Sequence, residues 1–174
     1  MSRPLFLNDR RGAFPPSWYA ATTELPDLRP ALKGDHRADV AVIGAGYTGL
    51  HAALELRKRG LSVTVLDAHR AGWGASGRNG GQVGSDLNKG QLWLEKRIGR
   101  PLAQQLWSLA HEATDMVSGF CATHAPEARF LHGIAHGVFD AADVDEERRD
   151  LEVMDAHYPD HRTTALDRDA FREL

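Results

Sequence analysis

The sequence predicts an α/β fold built on a strand–helix–strand unit. Three observations predict it: a short apolar run at Val40–Ile43, glycines at Gly44, Gly46 and Gly49 directly after it, and a second apolar run from Leu61 to Leu66, closed by Asp67.

Val40, Ala41, Val42 and Ile43 are continuously apolar, the pattern of a strand buried on both faces. Gly44 permits a tight turn, Gly46 lets the backbone approach an anion with no Cβ in the way, and Gly49 lets a following helix pack closely on the strand. A helix that begins near Tyr47 presents free backbone N–H groups at the positive end of its dipole. Two phosphate charges can be held there without a Walker lysine, and none is present. Leu50, Ala53, Leu54 and Leu56 give this helix an apolar face, Arg57, Lys58 and Arg59 crowd its last turn, and Gly60 stops it. At the end of the second strand the Asp67 carboxylate is placed to accept hydrogen bonds from both ribose hydroxyls of an adenosine, and its charge disfavours a 2′-phosphate. Together these elements make a Rossmann-like, dinucleotide-binding βαβ unit. An ordinary βαβ unit whose glycines only tighten a turn explains Gly49, but not all three glycines together with Asp67.

The chain has 174 residues, 42% hydrophobic and 26% charged, the composition of a soluble globular protein with length for one modest domain. Lys and Arg number 21 against 24 acids, a net charge of −3 that leaves no electrostatic footprint for nucleic acid or an anionic membrane and favours small-molecule chemistry. The single cysteine, Cys121, cannot form an internal disulfide and lacks metal-ligand spacing, which agrees with a reducing compartment; the cytoplasm is the expected location. No run approaches the ~18 consecutive apolar residues of a membrane span. Arg10 and Arg11 are similar to a twin-arginine signal, but the AFPPSWYAATTELPDLRP that follows is proline-rich and polar, so an arm is expected in place of an export leader.

Residues 1–37 hold five of the eight prolines and little periodicity, which predicts an extended arm packed over the domain, anchored by Trp18 and Tyr19. A helix is expected over Gln91 to Ile98, with Gly99 as its stop and Pro101 in the first turn of the next. Leu102, Leu106, Leu109, Ala113, Met116, Val117 and Phe120 then recur at steps of three and four, one long amphipathic helix. Phe130 to Phe139 reads as a strand broken by Gly133 and Gly137, and Ala142 to Tyr158 as a helix opened by Asp143, Asp145, Glu146 and Glu147, acids that suit a helix N-terminus. Asp167 or Asp169 can cap a last helix carrying Ala170, Phe171 and Leu174.

The second informative segment is Ala71 to Gln82, AGWGASGRNGGQ, with five glycines in twelve positions. A flexible linker is the bland reading, but linkers rarely hold Trp73, Arg78, Asn79 and Gln82 among their glycines. Together with PSWYAAT at Pro16 to Thr22 and ADVAVIGAGYTGLHAALELRKRGLSVTVLDA at Ala38 to Ala68, the segment GWGASGRNGGQV at Gly72 to Val83 resembles the FAD-dependent oxidoreductases of the D-amino-acid oxidase type, and within them the γ-glutamylputrescine oxidase-like branch.

That resemblance implies that FAD is the cofactor. Its ADP half would be held by Gly44, Ala45, Gly46, Tyr47, Thr48, Gly49, Asp67 and Ala68. Ala75, Ser76, Arg78, Asn79, Gly80, Gly81 and Gln82 would run beside the pyrophosphate and flavin. The branch commonly carries Glu where Asp67 stands. Some relatives attach the flavin through a histidine in this loop, at the position where Arg78 stands here, so non-covalent FAD is implied. The implied chemistry is hydride transfer from the carbon beside an amine to flavin N5, with hydrolysis of the resulting imine and reoxidation by O₂; the implied substrate is a small amine or amino acid. Neither a catalytic residue nor a metal ligand is assigned.

The implied organisation is an arm over 1–37, the N-terminal part of the FAD-binding domain over 38–100, and a long helix with the start of a mixed α+β substrate region over 101–174. Family members are two to three times longer, so the sequence reads as an N-terminal portion that depends on later sequence for activity. The alternatives are a non-catalytic remnant that binds FAD or ADP, and a piece of an NAD-dependent dehydrogenase, which the βαβ unit permits but the second glycine segment fits less well. His132 and His136 are expected on the strand and not as metal ligands, His111 and His124 on helix faces, Cys121 as a small packed side chain, and Trp93 and Trp107 as packing residues.

Overall fold

In the computed structural model, which describes residues 9–25, 27–85 and 87–173, the chain divides into two compact units between Gln82 and Val83.

The first unit opens with a short helix, α1 (Trp18–Thr22), capped by Ser17, whose Oγ accepts from Ala20 N. The arm is therefore not extended throughout. Trp18 is 76% exposed and does not anchor it. The side chain of Ser17 satisfies a first-turn amide, and that cap is what favours one helical turn between the prolines.

Strands β1 (Val40–Ile43) and β2 (Val63–Leu66) pair in parallel, in register from Val40 opposite Val63 to Ile43 opposite Leu66, with helix α2 (Tyr47–Lys58) between them in sequence. A reciprocal clamp fixes the start of the pair: Ser62 N and Oγ donate to Asp39 Oδ2, and Asp39 N donates to Ser62 Oγ. The two bonds from Ser62, side chain first and then backbone, hold the Asp39 carboxyl below its usual range against a small opposing desolvation. Helix α2 lies against both strands and ends in a Schellman motif, with Gly60 N donating to Arg57 O and Leu61 N to Leu56 O. β1 is not buried on both faces as its apolar run predicts. Its residues alternate between half-buried and exposed, and Ile43 is 79% exposed, because α2 covers one face only.

The second unit is helical among its described residues: α3 (Gln91–Ile98), α4 (Arg100–His124), α5 (Ala141–His157) and α6 (Arg168–Arg172). Gly99 separates α3 from α4, and Pro101 occupies the first turn of α4, where its missing N–H costs nothing. Asp140 and Asp167 cap α5 and α6 with their carboxylates. Asp140 lies three residues before Asp143, the first of the acids singled out from sequence. The centre of the unit is Ala103, fully buried, and Tyr158, 3% exposed and tilted against Trp107 with ring centroids 5.2 Å apart. Around them a polar network closes. Glu95 accepts from Tyr158 OH, His157 Nδ1 and Arg100 Nε, while Gln91 Nε2 donates to both Ala103 O and Tyr158 OH. Burial pushes the Glu95 carboxyl up, and the bonds from Arg100, His157 and Tyr158 outweigh it, so the group sits below its usual range.

Phe130 to Phe139 is not a strand, so His132 and His136 lie on irregular chain. Leu131, Ile134 and Phe139 are strongly exposed, and Gly133 takes a φ of +98° that a strand does not tolerate. An apolar run forms a strand only where a neighbour supplies backbone partners, and none pairs with it among the described residues. Leu174 lies outside the described residues. No helix among those described is long and apolar enough to cross a membrane.

Candidate functional site

The site is the junction of two glycine turns in the first unit. The first runs from the end of β1 into α2. Gly44 turns at φ +103°, its N–H still donating to Leu66 O, and the chain enters α2 with Gly46 as its N-cap and no side-chain cap. The first α-helical hydrogen bond is Leu50 N to Gly46 O, so the amides of Tyr47, Thr48 and Gly49 have no acceptor within the helix. Gly49 is required by packing, because a Cβ there would overlap the Gly44 carbonyl oxygen and stand 3.2 Å from Val42 Cγ1.

The second turn repeats the device. Gly72 turns at φ +70°, a 3₁₀ turn follows over Ala75–Gly77, and a Cβ on Gly77 would overlap the Gly72 carbonyl oxygen. Gly72 and Gly77 are spaced as Gly44 and Gly49 are. The sequence reading passed over both, and that repeated spacing is the signal for them. Two bonds join the turns: Gly72 N donates to Ala45 O at 2.9 Å, and Tyr47 N donates to Ser76 Oγ at 3.0 Å. A Cβ on Gly46 would stand 2.9 Å from that same Ser76 Oγ. Gly46 thus makes room for the Ser76 hydroxyl against the α2 N-terminus.

Asp67 is tied to the first turn and to the segment that leads into the second. Its Oδ2 accepts from Ala45 N and its Oδ1 from His69 N, each at 2.8 Å. The carboxylate therefore shapes the first turn as well as closing β2, and each oxygen keeps a lone pair for a further donor. Asp67 and Ala68 are exposed, as are Tyr47 and Thr48 at the helix start.

The rest of the loop is organised by its own side chains. Arg78 Nε donates to Trp73 O, and its guanidinium lies 4.3 Å from the Trp73 ring centroid. Asn79 Nδ2 donates to Ala75 O and Ser76 O, and its Oδ1 accepts from Gly81 N. Gly80 stands against the Gln82 amide. The structure brings Gly44, Ala45, Gly46, Tyr47, Gly49, Asp67 and Ser76 together around one helix N-terminus. Arg78 and Asn79 shape the loop itself.

Whether these residues fit a dinucleotide is tested by the cradle. Amides without an acceptor inside the helix at a positive helix end, a glycine in the turn that leads into it, and a carboxylate at the tip of the neighbouring strand are the features a pyrophosphate and ribose require. They fit.

A family model described as FAD dependent oxidoreductase matches residues 39–174. The chain is 39% identical over 153 residues to the probable oxidoreductase OrdL of Rhizobium meliloti, covering 88% of this chain and 36% of that protein. It is 44% identical over 88 residues to the OrdL of Haemophilus influenzae, 51% of this chain and 20% of that protein. It is 40% identical over 101 residues to the gamma-glutamylputrescine oxidoreductase of Escherichia coli, 58% of this chain and 24% of that protein. The chain thus spans about a third of the first relative's length and less of the others. No solved structure matches it. With the family model covering well over half of its residues, the chain belongs to the DAO family of FAD dependent oxidoreductases.

Proposed function

We propose that this chain is the FAD-binding N-terminal portion of an oxidoreductase acting on small amines or amino acids, active as part of the longer protein its relatives exemplify. The observation that carries the reading is the junction of the two glycine turns at the α2 N-terminus beside Asp67. The likeness to a gamma-glutamylputrescine oxidoreductase supports an amine donor.

When bound, a flavin supplies acceptance of a hydride from the carbon that bears the amine, with dioxygen as the final acceptor. The share of this chain is binding and placement. The amides of Thr48 and Gly49 would hold the pyrophosphate by charge-assisted hydrogen bonds, with the Ser76 hydroxyl, which accepts from Tyr47 N, as a further partner. Asp67 orients the adenosine ribose while fixing Ala45. The segment from Arg78 to Gln82 would lie toward the flavin, and Arg78 in place of the histidine some relatives use supports non-covalent attachment.

The test is the visible spectrum of the purified chain, with cofactor released by denaturation, followed by titration with FAD, ADP and NAD. Binding of FAD and ADP but not NAD is the expected result. Binding of NAD in preference to FAD would move the chain to the dehydrogenase reading.

A further inference from the structure

We infer that Trp73 is a positioning residue that couples the N-terminal arm to the cofactor loop, so that docking of the arm sets the affinity for FAD. The inference rests on the proposed function for the identity of the ligand.

Among the described residues the arm meets the core over Gly12 to Phe14. Gly12 N lies 3.3 Å from His69 Nδ1, Ala13 O accepts from Trp73 Nε1 at 2.7 Å, and the Phe14 ring stands 5.4 Å from the Arg70 guanidinium. His69 and Arg70 lie between Asp67 and the second glycine turn, and Trp73 lies within that turn. Buried Gly12 itself turns at φ +75°, and a Cβ there would stand 3.0 Å from the Leu28 side chain, so the arm folds back on itself to present these groups.

Trp73 gathers the connections. Its ring stacks on His69 with centroids 3.7 Å apart and planes 5° from parallel, and the Arg78 guanidinium lies 4.3 Å from its centroid. Two groups that close to one ring require opposite faces. Its carbonyl accepts from Arg78 Nε, and its neighbour Gly72 donates to Ala45 O in the first turn. One indole therefore holds the arm by its N–H, the post-Asp67 segment by one face and the start of the Arg78–Gln82 segment by the other. None of these three contacts falls on a residue assigned to the cofactor, yet the loop that carries half of those residues is held through Trp73. Trp73 is half-buried, and its indole N–H donates to the arm.

Two substitutions break the link from opposite ends. Trp73→Phe keeps a ring between His69 and Arg78 and removes the N–H to Ala13. Gly12→Val unseats the arm through its positive φ and the Leu28 contact while leaving the loop untouched. FAD affinity is read by flavin fluorescence quenching, well below the melting temperature of each variant, and amide hydrogen exchange is read over residues 10–14 and 72–82. Each variant is expected to weaken FAD binding roughly three- to tenfold, the loss of one hydrogen bond. The double variant should weaken it no further than the larger single effect, and exchange should quicken in both segments in every variant. Additive losses, or exchange that quickens in the arm alone, would overturn the coupling. A wild-type chain that binds neither FAD nor ADP would overturn the proposed ligand, and the exchange result would still decide whether arm and loop are coupled.

Discussion

Gly49→Ala tests the packing of α2 on β1, because the same chemical change elsewhere in the chain has the opposite sign. In an exposed helix interior, replacing Gly with Ala stabilises by about 1 kcal/mol through the lost freedom of the unfolded chain. Gly119, exposed in α4 with nothing within 4 Å of a built Cβ, is such a site. At Gly49 the new methyl overlaps the Gly44 carbonyl oxygen and crowds Val42 Cγ1 at 3.2 Å. The obstacle is backbone and cannot rotate away. Overpacking costs about 1–3 kcal/mol when side chains can shift, and a fixed carbonyl puts this site at the upper end. After the gain in helix propensity the net loss is about 2 kcal/mol. A unit of this size, Met1–Gln82, loses about 4–8 °C per kcal/mol, so the first unit should melt about 8–16 °C lower, while Gly119→Ala should raise the melting of the second. Scanning calorimetry of both variants beside the wild type measures this. If Gly49→Ala stabilises as Gly119→Ala does, α2 does not approach the strand as described.

Three further outcomes follow from the same geometry. Gly77→Ala should weaken FAD roughly tenfold or more and ADP less, since the clash with Gly72 O opens the second turn and draws Ser76 Oγ from Tyr47 N; parallel titrations decide it, and unchanged FAD binding would refute it. Asp67→Ala should weaken FAD and ADP alike and cost about 1–3 kcal/mol of stability by stranding the buried Ala45 amide, so loss of FAD binding alone would disprove its place at the ribose. Glu95→Gln should lower the stability of the second unit by about 2 kcal/mol at neutral pH and flatten its acid limb. The sign follows from a folded carboxyl held below its unbound value of about 4.5: the stabilisation is present above that pH and is lost as pH falls through the lowered value, which denaturant titrations across the acid range will show.

What the sequence made legible was local. The order strand, glycine turn, helix, stop and acid was readable because each step has a short-range cause: an apolar run, a positive φ, an i+4 face, a Schellman glycine, a carboxylate at a strand tip. The long helix from Arg100 was readable for the same reason. The failures were all questions of partnership. Phe130 to Phe139 has the composition of a strand, but composition cannot provide the neighbouring backbone that a strand needs. Val40 to Ile43 has the composition of a doubly covered strand, and the number of layers that cover it is a tertiary property. Trp18 and Tyr19 looked like anchors because they are aromatic, whereas the arm is held by a backbone amide, a backbone carbonyl and Phe14, groups whose partners lie tens of residues away.

The second glycine turn shows why family likeness and physical reading needed each other at this site. The likeness marked the segment from Ala75 to Gln82 as the part that meets the cofactor, and side by side those residues look equivalent. The geometry separates them. Ser76 reaches the α2 N-terminus, Asn79 braces its own loop, and Arg78 lies on Trp73. It also adds two residues, Gly72 and Gly77, whose part is to let one stretch of backbone lie on another, as Gly44 and Gly49 do one turn earlier. A site made from two copies of the same backbone device, joined by the bonds from Gly72 to Ala45 and from Tyr47 to Ser76, is rigid without a large core. Rigidity at that point is what a dinucleotide needs, because amides fixed before binding lose little entropy on binding. Ile43 is 79% exposed beside it, so the precision of the site comes from these short glycine contacts and not from burial of the sheet.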